Sequence, residues 1–347
     1  MIRVGIVGVG FMGWIHWLAY QKVAGARVAA ISTRNERRRS GDWRGIQGNF
    51  GPPGEQVDLS DVATYAQLDE LLADPQVDLV DITLPTSLHA DVAIRALEAG
   101  KHVLCEKPMA LRLDDCERMV AAAKKANRLL MVAHVLPFFP EYDWALKTIR
   151  SGAHGPVRGG AFRRIIANPT WLENFWSPEH VGGPMLDLHV HDAHFIRLLF
   201  GLPAEVVTTG RLRNGVPEFW HSQFRFADRD LVVEATSGTI DQQGRPFTHA
   251  YEIHLDRATL TFDFAVIGGE GRYLCAPMLL DNHGGVERPE LPGGDPIDAF
   301  ASKLREVVRS VGDGKTSEIL GAILAQDAML ICEKQSASLQ CGRPVKL

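Results

Sequence analysis

One lysine of this chain stands between a carboxylate and a proline, at the end of a short apolar segment. The segment reads Lys101-His102-Val103-Leu104-Cys105-Glu106-Lys107-Pro108. Its apolar residues are typical of a short buried strand, so Lys107 falls where that strand ends. A lysine that is partly removed from water can have its pKa lowered toward neutrality, and a charged lysine can polarise a carbonyl group. Lys107 is therefore placed for chemistry.

A glycine motif follows the first strand pattern of the chain, at residues 2–7. It reads Gly8-Val9-Gly10-Phe11-Met12-Gly13 and leads into a helical pattern. In this dinucleotide fingerprint the first glycine permits a tight turn, the second lets the backbone approach a pyrophosphate, and the third lets the helix pack on the strand. The phosphates then meet N–H groups at the helix N-terminus. Together with Lys107, the motif indicates a redox enzyme.

The end of the second strand pattern bears on the choice of cofactor. A free ribose 2′-hydroxyl usually meets Asp or Glu about 20 residues after the glycines. Here the strand runs instead into Ser32-Thr33-Arg34, with Arg37 shortly after. Hydroxyl and guanidinium groups suit a 2′-phosphate, which a carboxylate would repel. The sequence predicts NADP, with NAD as the alternative; a solvated basic helix start is the other interpretation of residues 37–39.

A second group of polar residues lies in the later half of the chain. Asp187 and His191 are four residues apart and His194 follows three later, so in a helix they share one face. With His180, His189 and Asp192 they also invite a zinc or manganese interpretation. Zinc-motif spacing is absent and residues 189 and 191 point differently on a helix, so we favour a proton relay and predict no metal.

Composition narrows the class of protein. The 347 residues exceed one ordinary core, and two domains are expected. A formal charge of −5 gives no general attraction to nucleic acid or to an anionic membrane, so the expected partner is a small molecule. Five cysteines without a CxxC pair are typical of a reducing compartment. With no export signal or membrane anchor in view, we expect a cytoplasmic protein.

The rhythm of the chain changes near residue 130. Before it, short apolar runs alternate with helical patterns, which predicts a parallel sheet of βαβ units. After it, longer alternating runs predict a largely antiparallel open sheet, interrupted by a single helix that starts near Pro184. The predicted fold is α/β: an NAD(P)-binding Rossmann domain over 1–130 and a C-terminal α+β domain for substrate binding and oligomerisation over 131–347. An uncovered sheet face predicts a homodimer or homotetramer.

Five ordered motifs make the chain resemble the Gfo/Idh/MocA family of glucose-fructose oxidoreductases and inositol dehydrogenases. They are Gly8–Gly13, Leu84-Pro85-Thr86 with His89, Ala99–Pro108, Gly182-Gly183 leading to Asp187 and His191, and Gly342-Arg343-Pro344-Val345. The resemblance implies a Rossmann domain, a second domain with a large open sheet, and NAD(P)-dependent oxidoreduction of a sugar, polyol or related hydroxy compound.

The resemblance also implies roles for individual residues. Lys107 is the central catalytic residue, Asp187 and His191 complete the constellation, and Glu106 supports the lysine. Hydride transfer to or from a carbinol carbon requires a proton to move at its oxygen, so an acid/base with a pKa near working pH is needed. The expected cofactor contacts are Gly8, Gly10, Phe11, Met12, Gly13, Ser32, Thr33, Arg34, Arg37, Leu84, Pro85, His89, Glu106 and Lys107.

The chain departs from the usual family pattern Asp-x-Gly-x-His-x-x-Asp. His189 stands at the glycine position and His194 at the second aspartate. Two alternatives to a dehydrogenase therefore stay open. One is a redox-neutral epimerase or glycosidase that retains NAD(P) and uses the added histidines for further acid/base steps. The other is a non-catalytic NAD(P)-binding regulator, against which the intact Lys107, Asp187 and His191 argue.

Aromatic and amide residues ahead of Asp187 are candidates for substrate contact. Trp171, Phe175 and Trp176 with Asn168 could stack on a sugar ring, or equally form core or dimer contacts. Arg163 and Arg164 are neighbours on a predicted strand and face opposite ways, so at most one points into a pocket. The predicted substrate contacts are Lys107, Arg163, Asn168, Trp176, Asp187 and His191.

Overall fold

A computed structural model describes residues 1–170, 175–177 and 179–347. The chain forms two compact units. One comprises Met1–Phe138 and Gly293–Gln326, and the other comprises Phe139–Pro292 and Asp327–Leu347. The first unit thus takes in a segment from late in the chain. The predicted functional domains, 1–130 and 131–347, stay a prediction.

The first part of the chain alternates strands and helices as the sequence predicts. Its elements are β1 (Ile2–Val7), α1 (Phe11–Tyr20), β2 (Ala26–Ser32), α2 (Glu36–Arg39), β3 (Ala63–Tyr65), α3 (Leu68–Ala73), β4 (Leu79–Ile82), α4 (His89–Glu98), β5 (His102–Cys105), α5 (Leu113–Ala126) and β6 (Leu130–Val132). The short β3 escapes the sequence patterns because it is not long enough to show a period. The helix start that was the other interpretation of residues 37–39 corresponds to α2.

The six strands form a parallel sheet in the order β3-β2-β1-β4-β5-β6. Apart from the short β3, its strand cores are buried and mainly apolar, as expected when helices cover both faces; the buried Asp81 on β4 is the charged exception. The strand order reverses between β1 and β4, and in such sheets ligands bind outside the carboxyl ends at this switch point. The last residues of the six strands lie in one row: Tyr65, Ser32, Val7, Ile82, Cys105 and Val132. The segments that leave this row therefore start from one edge.

The remaining elements follow in the later part of the chain. They are α6 (Pro140–Arg150), β7 (Val157–Ala167), α7 (Val190–Phe200), β8 (Glu205–Arg213), β9 (Val216–Arg225), β10 (Val232–Ile240), β11 (Phe247–Leu255), β12 (Ala258–Ile267), β13 (Glu270–Asp281), β14 (Val286–Glu287), α8 (Ile297–Asp313), α9 (Ala322–Cys341) and β15 (Val345–Lys346). The single helix predicted to interrupt these strands from near Pro184 corresponds to α7. The sequence patterns missed α6, which precedes β7 and is marked by Pro140 at its first turn and by the buried Tyr142, Ala145 and Leu146.

The second unit is built on a nine-stranded sheet, in the order β14-β13-β12-β11-β7-β10-β9-β8-β15. Its described pairs are antiparallel except β7 with β10, which confirms the mainly antiparallel sheet. Helices α6 and α7 pack on one face, where Phe195 contacts both Tyr142 and Phe162. The other face carries charged residues such as Glu234 and Glu252, both exposed. Among the helices that the structure describes, none has the length and apolar character of a membrane span.

Candidate active site

The three fingerprint glycines are required for different reasons. Gly8 has φ +98°, and a Cβ there would lie 3.0 Å from the Thr83 carbonyl oxygen. A Cβ at Gly13 would lie 2.3 Å from the Gly8 oxygen, whereas at Gly10 it would meet nothing within 4 Å. The protein's own packing thus demands Gly8 and Gly13, while Gly10 faces open space at the N-terminus of α1. Open space before helix N–H groups that lack a side-chain cap fits a dinucleotide pyrophosphate.

The irregular segment 41–57 packs against α1 rather than forming a loose loop. Trp43 is fully buried, with its ring 5.1 Å from that of Trp17. Phe50 lies with its ring centroid 5.0 Å from that of Phe11, directly after the glycine turn. The Trp14 indole donates a hydrogen bond to the Pro52 oxygen at 2.9 Å. Trp43 is therefore a core residue, and its buried ring has no face open to a cofactor.

The arginines after β2 are not equivalent. Arg37 pairs with Asp42 at 2.7 Å, Arg38 donates to the Val9 oxygen, and Arg39 donates to the Thr33 oxygen at 2.7 Å. Within the described part of the chain, the exposed Arg34 guanidinium makes no hydrogen bond or ion pair. The guanidinium of Arg37, a predicted phosphate contact, is thus engaged by a carboxylate, and among these four arginines Arg34 is the one whose guanidinium makes no hydrogen bond or ion pair with a described residue.

The hydroxyl residues beside Arg34 are also placed. Ser32 is buried as the last residue of β2, and its backbone oxygen accepts from the Gly8 N–H at 2.9 Å. The Thr33 hydroxyl accepts from the Asn35 N–H at 3.3 Å and is half-buried. Asn35 in turn caps α2. This turn lies beside the fingerprint, as a ribose-binding segment of a Rossmann domain does.

His89 connects two loops of the same sheet edge. Its Nδ1 lies 2.9 Å from the Pro108 oxygen and its Nε2 lies 2.8 Å from the Leu84 oxygen. The ring is buried, and burial lowers its pKa. Both nitrogens face backbone carbonyls, and the single N–H of the neutral ring donates to one of them, so the imidazole has no donor left for a cofactor. The structure therefore makes His89 a bridge between the Leu84-Pro85 segment and the residue after Lys107.

Glu106 follows β5 and points its carboxylate into the protein. Its Oε2 accepts from the Lys107 backbone N–H at 3.1 Å. Its Oε1 lies 3.0 Å from His16 Nε2 and 3.4 Å from Lys303 Nζ. Glu106 is 5% exposed and Lys107 is half-buried. The predicted support of Lys107 by Glu106 thus has a direct hydrogen bond, whereas both carboxylate oxygens are turned to protein groups rather than to a cofactor.

The network continues through His16. Its Nδ1 lies 2.8 Å from Asp81 Oδ2, which also accepts from the Tyr20 hydroxyl at 3.0 Å. Its Nε2 lies 2.8 Å from Lys303 Nζ. All of these side chains are buried. Two carboxylates and two bases from α1, β4, the end of β5 and α8 therefore share one interior cluster beneath Lys107.

Opposing effects set the protonation of this cluster. Burial alone would raise the pKa of Glu106, but Lys303, His16 and Lys107 outweigh it and hold the pKa well below its usual value. Burial lowers the pKa of Lys303. For His16 burial also acts downward, yet the carboxylates, led by Asp81, raise the pKa above 6.5. The pKa of Lys303 and that of His16 are thus shifted toward each other.

In the second unit, Asp187 and His191 lie one turn apart. Asp187 is in a π-helical turn, Met185–His189, and His191 is in the first turn of α7. Both side chains are half-buried, while residues 188–190 between them are buried. π-helical turns widen a helix locally and are frequent at functional sites. The two residues therefore border solvent together.

The added histidines are placed differently. His189 and His194 are both fully buried. His189 Nδ1 lies 2.7 Å from the Ser237 hydroxyl on β10, and burial lowers its pKa to about 4. His189 is therefore a neutral interior residue at neutral pH. Among the described residues no group of three or more His, Cys, Asp or Glu is arranged to hold a metal ion.

The other predicted substrate contacts divide between the two faces of the large sheet. Arg164 is buried on the face of α7 and pairs with Asp192 at 2.6 Å. Arg163 points to the opposite face and pairs with Asp263, so the structure does not bring it to Asp187. Asn168 accepts from the Trp176 indole at 3.1 Å, which keeps these two together. Trp171 lies outside the described residues.

The sequence patterns missed the residues of the buried cluster. His16, Asp81 and Lys303 are 65 or more positions apart from one another, so no local spacing joins them. One signal was available: Lys303 lies on the apolar stripe of α8 with the buried Phe300, Leu304 and Val307. A lysine on such a stripe needs a buried partner.

The strand order and the fingerprint define a Rossmann-type dinucleotide-binding protein. A family model described as an oxidoreductase family with an NAD-binding Rossmann fold matches residues 2–134, and a GFO/IDH/MocA C-terminal domain model matches residues 142–261. The chain is 33% identical to 1,5-anhydro-D-fructose reductase of Ensifer adhaerens, over 92% of this chain and 99% of that protein. The chain therefore belongs to the Gfo/Idh/MocA family of oxidoreductases.

Two further comparisons agree. The chain is 33% identical to inositol 2-dehydrogenase 1 of Saccharopolyspora erythraea, over 69% of this chain and 66% of that protein. Among solved structures, levoglucosan dehydrogenase in complex with NADH and levoglucosan matches with a TM-score of 0.78 and 22% identity, over 99% of each chain. At that identity the structural match supports the fold alone.

Proposed function

We propose that this protein is an NADP-preferring oxidoreductase that transfers a hydride between nicotinamide and a carbinol or carbonyl carbon of a sugar, polyol or related hydroxy compound. One observation carries the proposal: the segments that follow the row Ser32, Val7, Ile82 and Cys105 all leave the same sheet edge. Fingerprint, ribose-binding turn and Glu106-Lys107 therefore border one edge. The anhydrofructose reductase and the inositol dehydrogenase named above support the substrate class.

The cofactor is held, in this proposal, by the backbone N–H groups at Gly10, Phe11 and Met12 and by the turn at Thr33-Arg34. The uncommitted guanidinium of Arg34 meets the 2′-phosphate, which it binds as a charged, planar donor. When bound, the nicotinamide supplies or accepts the hydride. Leu84 and Pro85, fixed by the His89 bridge, flank its site.

The proton is handled by side chains of this chain. Lys107 donates to or accepts from the substrate oxygen, and Asp187 with His191 binds the neighbouring hydroxyl and passes the proton on. His189 and His194 take no part because both are buried. A redox-neutral enzyme would use these two histidines as additional acid/base groups, and their burial does not favour that alternative. A homodimer or homotetramer, and a substrate-binding second domain, stay part of the proposal.

Cofactor choice is tested by titrating purified protein with NADPH and NADH and measuring the dissociation constants by calorimetry. We expect tighter binding of NADPH, and at least a tenfold loss of NADPH affinity in Arg34→Ala, about 1.4 kcal/mol. Arg27→Ala is the matched control, because Arg27 is exposed on the same strand, β2, at its opposite end. Equal or NADH-favouring binding would show that the NADP assignment is wrong.

Turnover is tested on a panel of sugars and polyols with the preferred cofactor. Lys107→Ala is expected to lower kcat by 10² or more while leaving cofactor affinity within a few fold, since general acid/base catalysis contributes about 10²–10⁴. Asp187→Asn and His191→Asn should lower kcat as well. Full activity in Lys107→Ala would remove the proposed proton path, and hydride retained on the enzyme through turnover would favour a redox-neutral reaction.

A further inference from the structure

The cluster beneath Lys107 joins residues that the proposed reaction does not use. Lys303 belongs to α8, near the end of the chain, and is fully buried. A buried ammonium without a counter-charge is costly, and burying one is tolerated when it is paired and hydrogen-bonded. Its partners are Glu106 at 3.4 Å and His16 at 2.8 Å.

We propose that Lys303 is a positioning residue for Lys107, and that it acts by holding Glu106 as a buried carboxylate whose Oε2 fixes the Lys107 backbone. The inference rests on the proposed role of Lys107. Glu106 connects Lys303 to Lys107. Its Oε1 lies next to Lys303 Nζ and His16 Nε2, and its Oε2 accepts a hydrogen bond from the Lys107 backbone N–H at 3.1 Å. A protonated Glu106 would lose one of these two acceptor functions.

Charged and titratable groups face Glu106 from every element around it. They are His16 and Tyr20 on α1, Asp81 on β4, His89 on α4, Cys105 and Lys107 beside it in the chain, and Lys303 on α8. Asp81 is a like charge and is offset by His16. Lys303, on α8, is thus the charged group that most favours the ionised form of Glu106.

An exposed ion pair between a lysine and carboxylates gives the contrast. Lys22, at the end of α1, pairs with Asp295 and Asp298 at 3.1 and 2.8 Å, and its side chain is 41% exposed. Because this pair is exposed, water screens the attraction between the lysine and the two carboxylates, and the pair contributes little to stability. Lys22→Met therefore makes the same chemical change next to α8 without touching Glu106, and it serves as the matched control for Lys303→Met.

The experiment is NMR of the full chain, with ¹³C-labelled glutamate carboxyls and ¹⁵N backbone, titrated from pH 9 down to the lowest pH at which the protein stays folded. Glu106 is assigned by the signal lost in Glu106→Gln. In Lys303→Met we expect the midpoint of Glu106 to rise by at least about one pH unit, because an opposite charge has been removed. The Lys107 amide shift should follow the same midpoint, and the acid side of the kcat profile should move with it. Lys22→Met should change none of these.

Separate outcomes distinguish this inference from the proposed function. A Glu106 midpoint and a Lys107 amide that are unchanged in Lys303→Met would overturn the inference even if Lys107→Ala were inactive. If Lys303→Met does not fold, the titration of Glu106 is measured in the unmodified protein. Glu106 should then stay ionised in the pH range in which exposed glutamates titrate. If Glu106 titrates together with them, the inference is overturned. If both NMR shifts appear but Lys107→Ala keeps full turnover, the link holds and the proposed function fails.

Discussion

Two histidines of this protein are equally buried and behave in opposite ways. His16 and His189 are each 0% exposed. His16 has carboxylates on both sides, Asp81 at 2.8 Å and Glu106 at 3.0 Å, and its pKa is raised. His189 faces the Ser237 hydroxyl, with the Asp192 carboxylate farther away at 3.9 Å, and burial together with Arg164 outweighs that carboxylate and lowers the pKa of His189 to about 4. Burial by itself favours the neutral ring, so the neighbouring charges decide the protonation state.

The two histidines belong to buried clusters that contact different parts of the candidate site. The cluster around His16 reaches the backbone of the half-buried Lys107 through Glu106. The cluster around His189 joins β10 to the helical turn that carries Asp187, and Arg164 joins β7 to α7 through Asp192. One interior thus contains charges next to a candidate acid/base, and the other fixes the elements on which Asp187 and His191 stand.

The largest expected effect comes from removing the carboxylate beside His16. Asp81→Asn keeps the shape but leaves the buried bases with one counter-charge fewer, so the free energy of unfolding should fall by about 3–5 kcal/mol. Urea unfolding measures it. Asp91→Asn, in an exposed pair with Arg95, is the control and should be indistinguishable from the unmodified protein. If Asp81→Asn lowered the free energy of unfolding only slightly, the buried charge of His16 would not need Asp81 as its counter-charge.

Acidification should affect the other histidine. The folded pKa of His189, about 4, lies below the usual 6.5. The unfolded state therefore binds the proton first, and stability that is present above pH 6.5 is lost as the pH falls toward 4, by about 3 kcal/mol in total. In His189→Asn this part of the loss should disappear. Urea midpoints measured from pH 7 to 4 for both proteins check it, and parallel curves would contradict it.

A smaller effect is expected for the hydroxyl that donates to Asp81. Tyr20→Phe removes a buried hydrogen bond of 3.0 Å to a carboxylate, which should cost about 1–2 kcal/mol. Tyr273→Phe is the matched control, since its hydroxyl donates to Glu141 at 2.7 Å but the residue is 49% exposed. Equal losses of stability in the two variants would show that burial does not strengthen this contact.

The protonation of His16 and His189 can also be compared directly in the folded protein. Histidine ring NMR, assigned by single substitutions, should show His16 still titrating above pH 6.5 and His189 only well below it. The signs of the pH dependence then differ. The contribution of His16 is fully present below pH 6.5 and is lost as the pH rises through its folded pKa, whereas that of His189 is lost on acidification. Two rings that titrate together would remove the distinction.

Much of the fold follows from local patterns. Alternating apolar runs predicted the parallel sheet, and the longer runs predicted the antiparallel one, because both are periodicities that a few neighbouring residues display. Lys107 at the end of β5 and the i, i+4 spacing of Asp187 and His191 are of the same kind. The sequence patterns missed α6, although the proline in its first turn and its buried residues mark it.

The sequence by itself determined the family, the glycine turn and the position of Lys107, since each depends on residues close together in the chain. Tertiary structure decided which of the basic residues are committed: Arg37 to Asp42, Arg164 to Asp192, and Lys303 to Glu106. The last two pairs span 28 and 197 positions. Such pairs form because the sheet and its helices bring distant charges into one interior, where an unpaired charge is costly, and no spacing along the chain records that choice.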